Sequence, residues 1–226
     1  MLILFDIDLT LVDTRGSGMR CLEDAGRALF GPGFSAEGIE YGGRLDPLII
    51  HDLLINAGVD PSTQHAAALR AGYTEQMQAA YESGRAGSEA LPGALELVAS
   101  LAGRDGVTLG LLTGNFEATG TLKLRAAGFE MDPFEVRVWG DHSPHDPPHR
   151  SHLPPVGIER FAAMKGRDPD PQQVVVIGDT VHDVSCALDN GCRSLAVATG
   201  HHTADQLAGA GAHRVVGDLA RTGDIV

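Results

Sequence analysis

Cysteine, positive charge and long apolar runs are all scarce in this sequence, and each shortage removes a class of protein. Three cysteines in 226 residues (Cys21, Cys186, Cys192), none in a paired metal spacing, exclude a disulfide framework and a cysteine-rich zinc site. The expectation is reduced thiols in a cytoplasmic compartment. Lysine and arginine number 17 against 30 aspartates and glutamates, net −13 with a pI near 5.0. That balance argues against nucleic acid or an anionic membrane as a main partner. An anionic small substrate stays open, because local cations and helix N-termini overrule the net field. No stretch approaches membrane-spanning length, and the N-terminal apolar run is too short and lacks a basic leader. Nor is there an internal repeat or a concentrated linker. What remains is ordinary globular composition, 43% hydrophobic and 21% charged, enough for one good core with a smaller insert.

The first informative stretch is LILFDIDLTLVDT, Leu2 to Thr14. Four apolar residues read as a buried strand, and Asp6 and Asp8 then follow with only Ile7 between them. Strand side chains alternate, so both carboxylates point the same way. Crowded carboxylates raise each other's pKa unless a cation or several donors intervene, and a hard divalent cation such as Mg2+ resolves the conflict.

Further along, residues 16–87 read as helices only. MRCLEDAGRALF places Met19, Leu22, Ala25 and Leu29 on one face, with Ser17 available as its cap. PLIIHDLLINAG and PSTQHAAALRAGYTEQMQAAYESG are two more helices. The texture changes near Ser88. VTLGLLTGN, FEVRVWG, QQVVVIGDT, RSLAVATG and HRVVG read as strands, separated by helices such as LPGALELVASLAG, FEATGTLKLRAAGF, IERFAAMKG and HDVSCALDNG. Apolar strands alternating with helices mean an α/β fold: a doubly wound, Rossmann-like parallel sheet covered on both faces. Ligands of such sheets bind at the carboxyl ends of the strands. Here those ends carry Asp6 and Asp8, then Thr113, Gly114 and Asn115, then Asp179 and Asp183. A core strand has no packing reason to end this way three times.

These residues resemble the haloacid dehalogenase-like hydrolase superfamily, in particular its phosphoglycolate phosphatase-like branch. Its first motif, Asp-x-Asp-x-Thr, is matched by Asp6, Asp8 and Thr10; its second, a Ser or Thr at a strand end, by Thr113; its fourth, Gly-Asp-x-x-x-Asp, by Gly178, Asp179 and Asp183. The resemblance spans the chain and implies a core of residues 1–15 and 88–226 with an inserted helical cap of residues 16–87. Two positions depart from the pattern. Leu9 stands where this branch has Gly, and the usual third-motif Lys is missing. Lys123 comes too early, on the helix after Thr113, where it is expected to face solvent, and Lys165 too late. Arg150, ahead of IERFAAMKG, resembles the Arg that some members use instead. Its planar fork suits phosphoryl oxygens.

The resemblance implies a Mg2+-dependent phosphatase acting on a small phosphorylated metabolite. Asp6 would be the nucleophile, and Asp8 the acid and then the base. Mg2+ would be held by Asp6, the backbone carbonyl of Asp8, and Asp179. Thr113 with the amide of Gly114 or Asn115 would hold phosphoryl oxygens, and Asp183 would orient metal waters or pair with Arg150. Asp8 sets the chain apart from dehalogenases, and the lysine-free cap from phosphonatases. A phosphomutase of the same fold and a non-catalytic phospho-Asp receiver or binding module are the alternatives, the receiver being shorter and capless. In the cap, GGRLDP is the stretch expected to touch substrate, with Arg44 reaching a carboxylate or sugar phosphate, or else bracing the cap helices. His142, His145, His149 and His152 sit in a Pro-rich stretch read as a surface loop, and His182 as a helix-surface neighbour of the metal.

Overall fold

Four consecutive apolar residues suit a strand covered on both faces, and Leu2–Phe5 (β1) has every residue buried in the computed structural model, which describes residues 1–221. Thr108–Leu112 (β4) and Val174–Gly178 (β6) flank it in parallel, with Leu4 opposite Gly110 and Val176. Phe134–Val138 (β5), Arg193–Val197 (β7) and Arg214–Val216 (β8) complete a six-stranded parallel sheet in the order β5-β4-β1-β6-β7-β8. Alternation sorts the two faces. Ile3 and Phe5 pack with Leu97, Leu101 and Leu124 of helices Ala94–Leu101 (α4) and Glu117–Ala126 (α5). Leu2 and Leu4 pack with Leu153, Phe161 and Cys186 of Leu153–Lys165 (α6) and Val181–Asp189 (α7). Helix Ala204–Gly209 (α8) seals the β7–β8 edge through Leu207. This is the doubly wound sheet expected from the strand–helix alternation. No helix among the described residues is long and apolar enough to cross a membrane.

Helices Ser17–Phe30 (α1), Asp46–Asn56 (α2) and Thr63–Glu82 (α3) have a cluster of their own, built on Leu22, Ile50, Leu53, Leu69 and Met77 and joined by Phe116. At its two roots, Val12–Asp13 (β2) and Glu89–Ala90 (β3) pair antiparallel, Val12 opposite Ala90. Two-residue strands are too short to leave a periodicity, so the ribbon is invisible in sequence. Three local expectations need correction. Helix α6 begins at Leu153, ahead of IERFAAMKG, because Pro154 and Pro155 occupy a first turn that needs no N–H partner. Ser17 does not cap α1: the left-handed Gly16 precedes it, and the buried Ser17 hydroxyl has no partner. Leu29, in the last turn, is 47% exposed rather than packed.

Leu9, the residue standing where the family branch has Gly, has φ 53°. Its N–H donates to Val12 O (2.8 Å), and its carbonyl accepts from Thr199 Oγ1 (2.5 Å), so the turn is fixed from both sides. A left-handed L-residue costs about 1–2 kcal/mol, and glycine returns part of any gain through unfolded-chain entropy. Leu9→Gly is therefore expected to stabilise the protein by up to about 1 kcal/mol, or about 2–4 °C in Tm. A lower Tm in thermal denaturation would contradict this account of the turn.

Candidate active site

The end of β1 is locked before the site begins. Asp6 N donates to Ile177 O of β6 (2.9 Å), and the Leu11 and Val12 amides close a turn onto Ile7 O. Ile7 goes into the core at 0% exposure, so Asp6 and Asp8 emerge on the opposite side, the first side chain 7% exposed and the second 39%. Beyond β4, Thr113 is fully buried, and its hydroxyl accepts from Asn115 Nδ2 (2.8 Å), which also reaches Asp8 Oδ2 (2.8 Å). Beyond β6, Thr180 and Asp183 cap α7 reciprocally, so Asp183 Oδ2 accepts from Thr180 N (3.1 Å) and Thr180 Oγ1 (2.5 Å). Asp179 accepts from Thr10 Oγ1 (3.4 Å) and lies against Gly200, where a Cβ would come within 1.8 Å of its carboxylate.

Arg150 enters from a single 3-10 turn, Arg150–His152. Its Nη2 reaches Asp183 Oδ1 (2.5 Å) and Asp6 Oδ2 (3.1 Å), Nη1 donates to Gly43 O (3.0 Å), and the buried Nε has no acceptor. The pairing of Arg150 with Asp183 is thus present. The histidine stretch supplies the turn itself: Ser151 N donates to His149 Nδ1 (3.2 Å) and His149 N to His152 Nδ1 (3.1 Å). Among the described residues, no cluster of three or more side chains that could hold a metal includes those histidines or His182, which packs beside Gly43.

Lys123 overturns an expectation. It is 5% exposed rather than solvent-facing, and its Nζ lies 2.7 and 2.9 Å from the two Asp8 oxygens and 2.6 Å from Asn115 Oδ1. Helix α5 runs between the sheet and helices α1 and α3, so the face carrying Lys123 meets Tyr73 and Gly18 instead of water. Lys165, by contrast, makes a surface pair with Glu135 (3.1 Å).

Four carboxylates therefore face two buried cations. Ligand atoms of Asp6, Asp179 and Asp183 lie within 4.8 Å of one another, so Asp183 joins the acid cluster alongside the two side chains expected there. Burial, with Asp183 and Asp6 beside it, pushes Asp179 up to about 8 against the pull of Arg150. Burial likewise raises Asp6 to about 6, Arg150 opposing and Asp183 and Asp8 adding. Hard oxygen ligands crowded without enough positive charge fit a divalent cation. The sign of the pH dependence follows. Both folded-state pKa values exceed the unfolded value of 3.8, so the metal-free protein loses stability as pH rises through about 6 and then about 8. Mg2+ should restore Tm, more at pH 8 than at pH 5; an equal effect at both would argue against binding at these acids.

The strand ends open into a cavity of about 460 Å3 that is also lined by Met19 and Leu22 of α1, Ile49 of α2 and Tyr73 of α3. The segment Gly43–Asp46 is fastened to the core: Asp46 N donates to Gly114 O (2.8 Å), and Phe116 N donates to Asp46 Oδ2 (3.0 Å). Only glycine allows this approach, because a Cβ at Gly114 would lie 2.0 Å from Arg44 O. Arg44 borders the cavity, but its guanidinium pairs with Asp52 (2.8 Å) and its Nη1 donates to Glu40 O (3.0 Å). Asp46 was not singled out from sequence; its place in GGRLDP, directly before Pro47, was the available signal. Burial raises its carboxyl to about 6 although Lys123 pulls it down.

Comparison with known proteins places the chain in a family. The family model described as haloacid dehalogenase-like hydrolase matches residues 3–188, and a related hydrolase-like model matches residues 155–222. "Probable phosphatase IndB" of Dickeya dadantii (strain 3937) is 29% identical over 215 residues, covering 91% of this chain and 84% of that protein. A mutant of CbbY from Rhodobacter sphaeroides, solved in complex with xylulose-(1,5)bisphosphate, superposes with a TM-score of 0.77 at 24% identity, covering 98% of this chain and 96% of that one. A structure titled as a predicted phosphoglycolate phosphatase from Haemophilus somnus 129PT gives a TM-score of 0.72 at 20% identity, covering 99% and 96%. At such identities the two structures speak for the fold alone.

Proposed function

The chain belongs to the haloacid dehalogenase-like hydrolases, and from that membership we propose a Mg2+-dependent phosphatase that hydrolyses a small phosphorylated metabolite through a phosphoryl group carried on Asp6. The setting of Asp6 carries this reading. It is a buried carboxylate at a strand end, with a guanidinium at 3.1 Å and two further acids beside it. Residues 1–15 and 88–226 serve as the catalytic core, and 16–87 as the cap that closes over it.

Phosphoryl transfer needs an in-line nucleophile, neutralised equatorial oxygens and a proton for the leaving oxygen. Asp6 attacks phosphorus, and the P–O bond to the alcohol breaks. Asp8, open to the cavity, hands its proton to the leaving oxygen and then takes one from the water that releases inorganic phosphate. Thr113, the amides after it, Lys123 and the Arg150 guanidinium, 3.1 Å from Asp6, supply donors and positive charge for the phosphoryl oxygens. Asp6, the Asp8 carbonyl and Asp179, with Asp183 behind, would hold Mg2+, which would supply positive charge to the phosphoryl group when bound. The test is Mg2+-dependent release of p-nitrophenolate from p-nitrophenyl phosphate, with acid-quench mass spectrometry to locate the trapped phosphoryl. A label on any residue other than Asp6 would sink the mechanism.

A further inference from the structure

The cavity wall opposite Asp6 carries information about the alcohol that leaves. Much of it is apolar, formed by Met19, Leu22 and Ile49. Two polar groups interrupt it. Tyr73 is 3% exposed, and its hydroxyl makes no hydrogen bond among the described residues. Asp46 gives Oδ2 to Phe116 N, whereas its Oδ1 accepts nothing among the described residues and is not sealed in the protein. A nearly buried hydroxyl and a carboxylate oxygen, both without partners among the described residues and both lining the cavity, are groups a ligand can satisfy.

Uncommitted positive charge beyond the phosphoryl site is what this wall lacks among the described residues. Each arginine or lysine bordering the cavity is already paired: Arg44 with Asp52, Arg15 with both oxygens of Glu89 (2.7 and 2.8 Å), Lys123 with Asp8, and Arg150 with Asp6 and Asp183. Arg44 and Arg15 are tied to Asp52 and Glu89, whereas Asp46 keeps a carboxylate oxygen that no described residue satisfies.

We propose, building on the phosphatase reading above, that the substrate is a monophosphate whose leaving alcohol is neutral and hydroxylated, its hydroxyls held by Asp46 and Tyr73 and its apolar face on Met19, Leu22 and Ile49. Esters with a second anionic group, a carboxylate or another phosphate, are disfavoured. Like charges brought together in a closed site cost enough to set a tenfold or greater preference.

The experiment compares kcat/KM for p-nitrophenyl phosphate, ribose 5-phosphate, a nucleoside 5′-monophosphate, 2-phosphoglycolate and fructose 1,6-bisphosphate. Calorimetric binding of the last four to Asp6→Asn with Mg2+ is measured alongside. The neutral-alcohol esters should exceed the two anionic ones by at least about tenfold in both measurements. Two variants sharpen the result. Asp46→Asn keeps an acceptor for Phe116 N but loses the charge, and should raise 2-phosphoglycolate relative to ribose 5-phosphate. Asp52→Asn frees Arg44 and should raise it too, without changing p-nitrophenyl phosphate turnover. If p-nitrophenyl phosphate is cleaved but 2-phosphoglycolate or the bisphosphate is preferred, the substrate class is wrong and the phosphatase reading stands. If nothing is cleaved and nothing binds, both fall.

Discussion

Asp6→Asn should reduce turnover to background while leaving the protein folded and, without metal, more resistant to heat. Asn keeps the shape of the side chain but cannot attack phosphorus, and loss of a nucleophile typically costs on the order of 10⁴ or more in rate. The stability gain has a separate cause. Asp6 is held above its ordinary pKa, at about 6, chiefly by burial, with Asp183 and Asp8 adding to it. Its charged form is therefore disfavoured in the folded state, and the cost is present in full only above that pKa. Arg150 keeps Asp183 at 2.5 Å, so the substitution leaves no orphaned cation. The gain of Asn over Asp in Tm should be about 2–4 °C at pH 8, corresponding to about 1 kcal/mol, and smaller at pH 5. Differential scanning calorimetry of both proteins in chelator at the two pH values measures it. A gain that does not grow with pH would mean the crowding is not electrostatic.

The parts of the site legible in sequence are those fixed by strand ends. Asp6, Thr113 and Asp179 follow runs such as LILF and VVVIG whose lack of alternation admits only a parallel strand covered on both faces, and the ends of such strands converge. Arg150 was legible only through the family resemblance, as an Arg standing in for the missing third-motif Lys. Its route was not, because the turn carrying it depends on histidine side chains accepting backbone N–H groups. Lys123 was misjudged for a related reason. Nothing within GTLKLRAAG states which face of α5 meets solvent; that is decided by where helices α1 and α3 lie, through Gly18 and Tyr73. Asp46 is of the same kind, since its contact with Phe116 N depends on Gly114 letting the segment Gly43–Asp46 approach. Contacts made between cap and core leave no periodicity in either.

The two buried cations should then separate by what they do to metal binding. Lys123→Ala is expected to lower kcat/KM by ten- to a hundredfold, because a charge-assisted contact to a phosphoryl group is worth about 1.5–3 kcal/mol. It leaves Asp8 with Asn115 Nδ2 at 2.8 Å, and the half-open carboxylate takes up solvent. The fold should therefore lose less than the about 3–5 kcal/mol typical of a broken buried pair. Arg150→Ala removes the counterion of Asp6 and Asp183 together, both less than a tenth exposed. Turnover should fall at least as far as with Lys123→Ala. The apparent affinity for Mg2+ should rise, because three acids within 4.8 Å then have no neighbouring guanidinium. Arg150→Lys should restore part of the rate, an ammonium keeping the charge but losing the fork. Lys165→Ala, at a surface pair with Glu135, should leave turnover unchanged. Mg2+ titrations of activity and of Tm across the four variants provide the readout. Tighter Mg2+ binding in Lys123→Ala and unchanged binding in Arg150→Ala would reverse the assignment, placing the metal beside Asp8 and Asn115 rather than in the cluster of Asp6, Asp179 and Asp183.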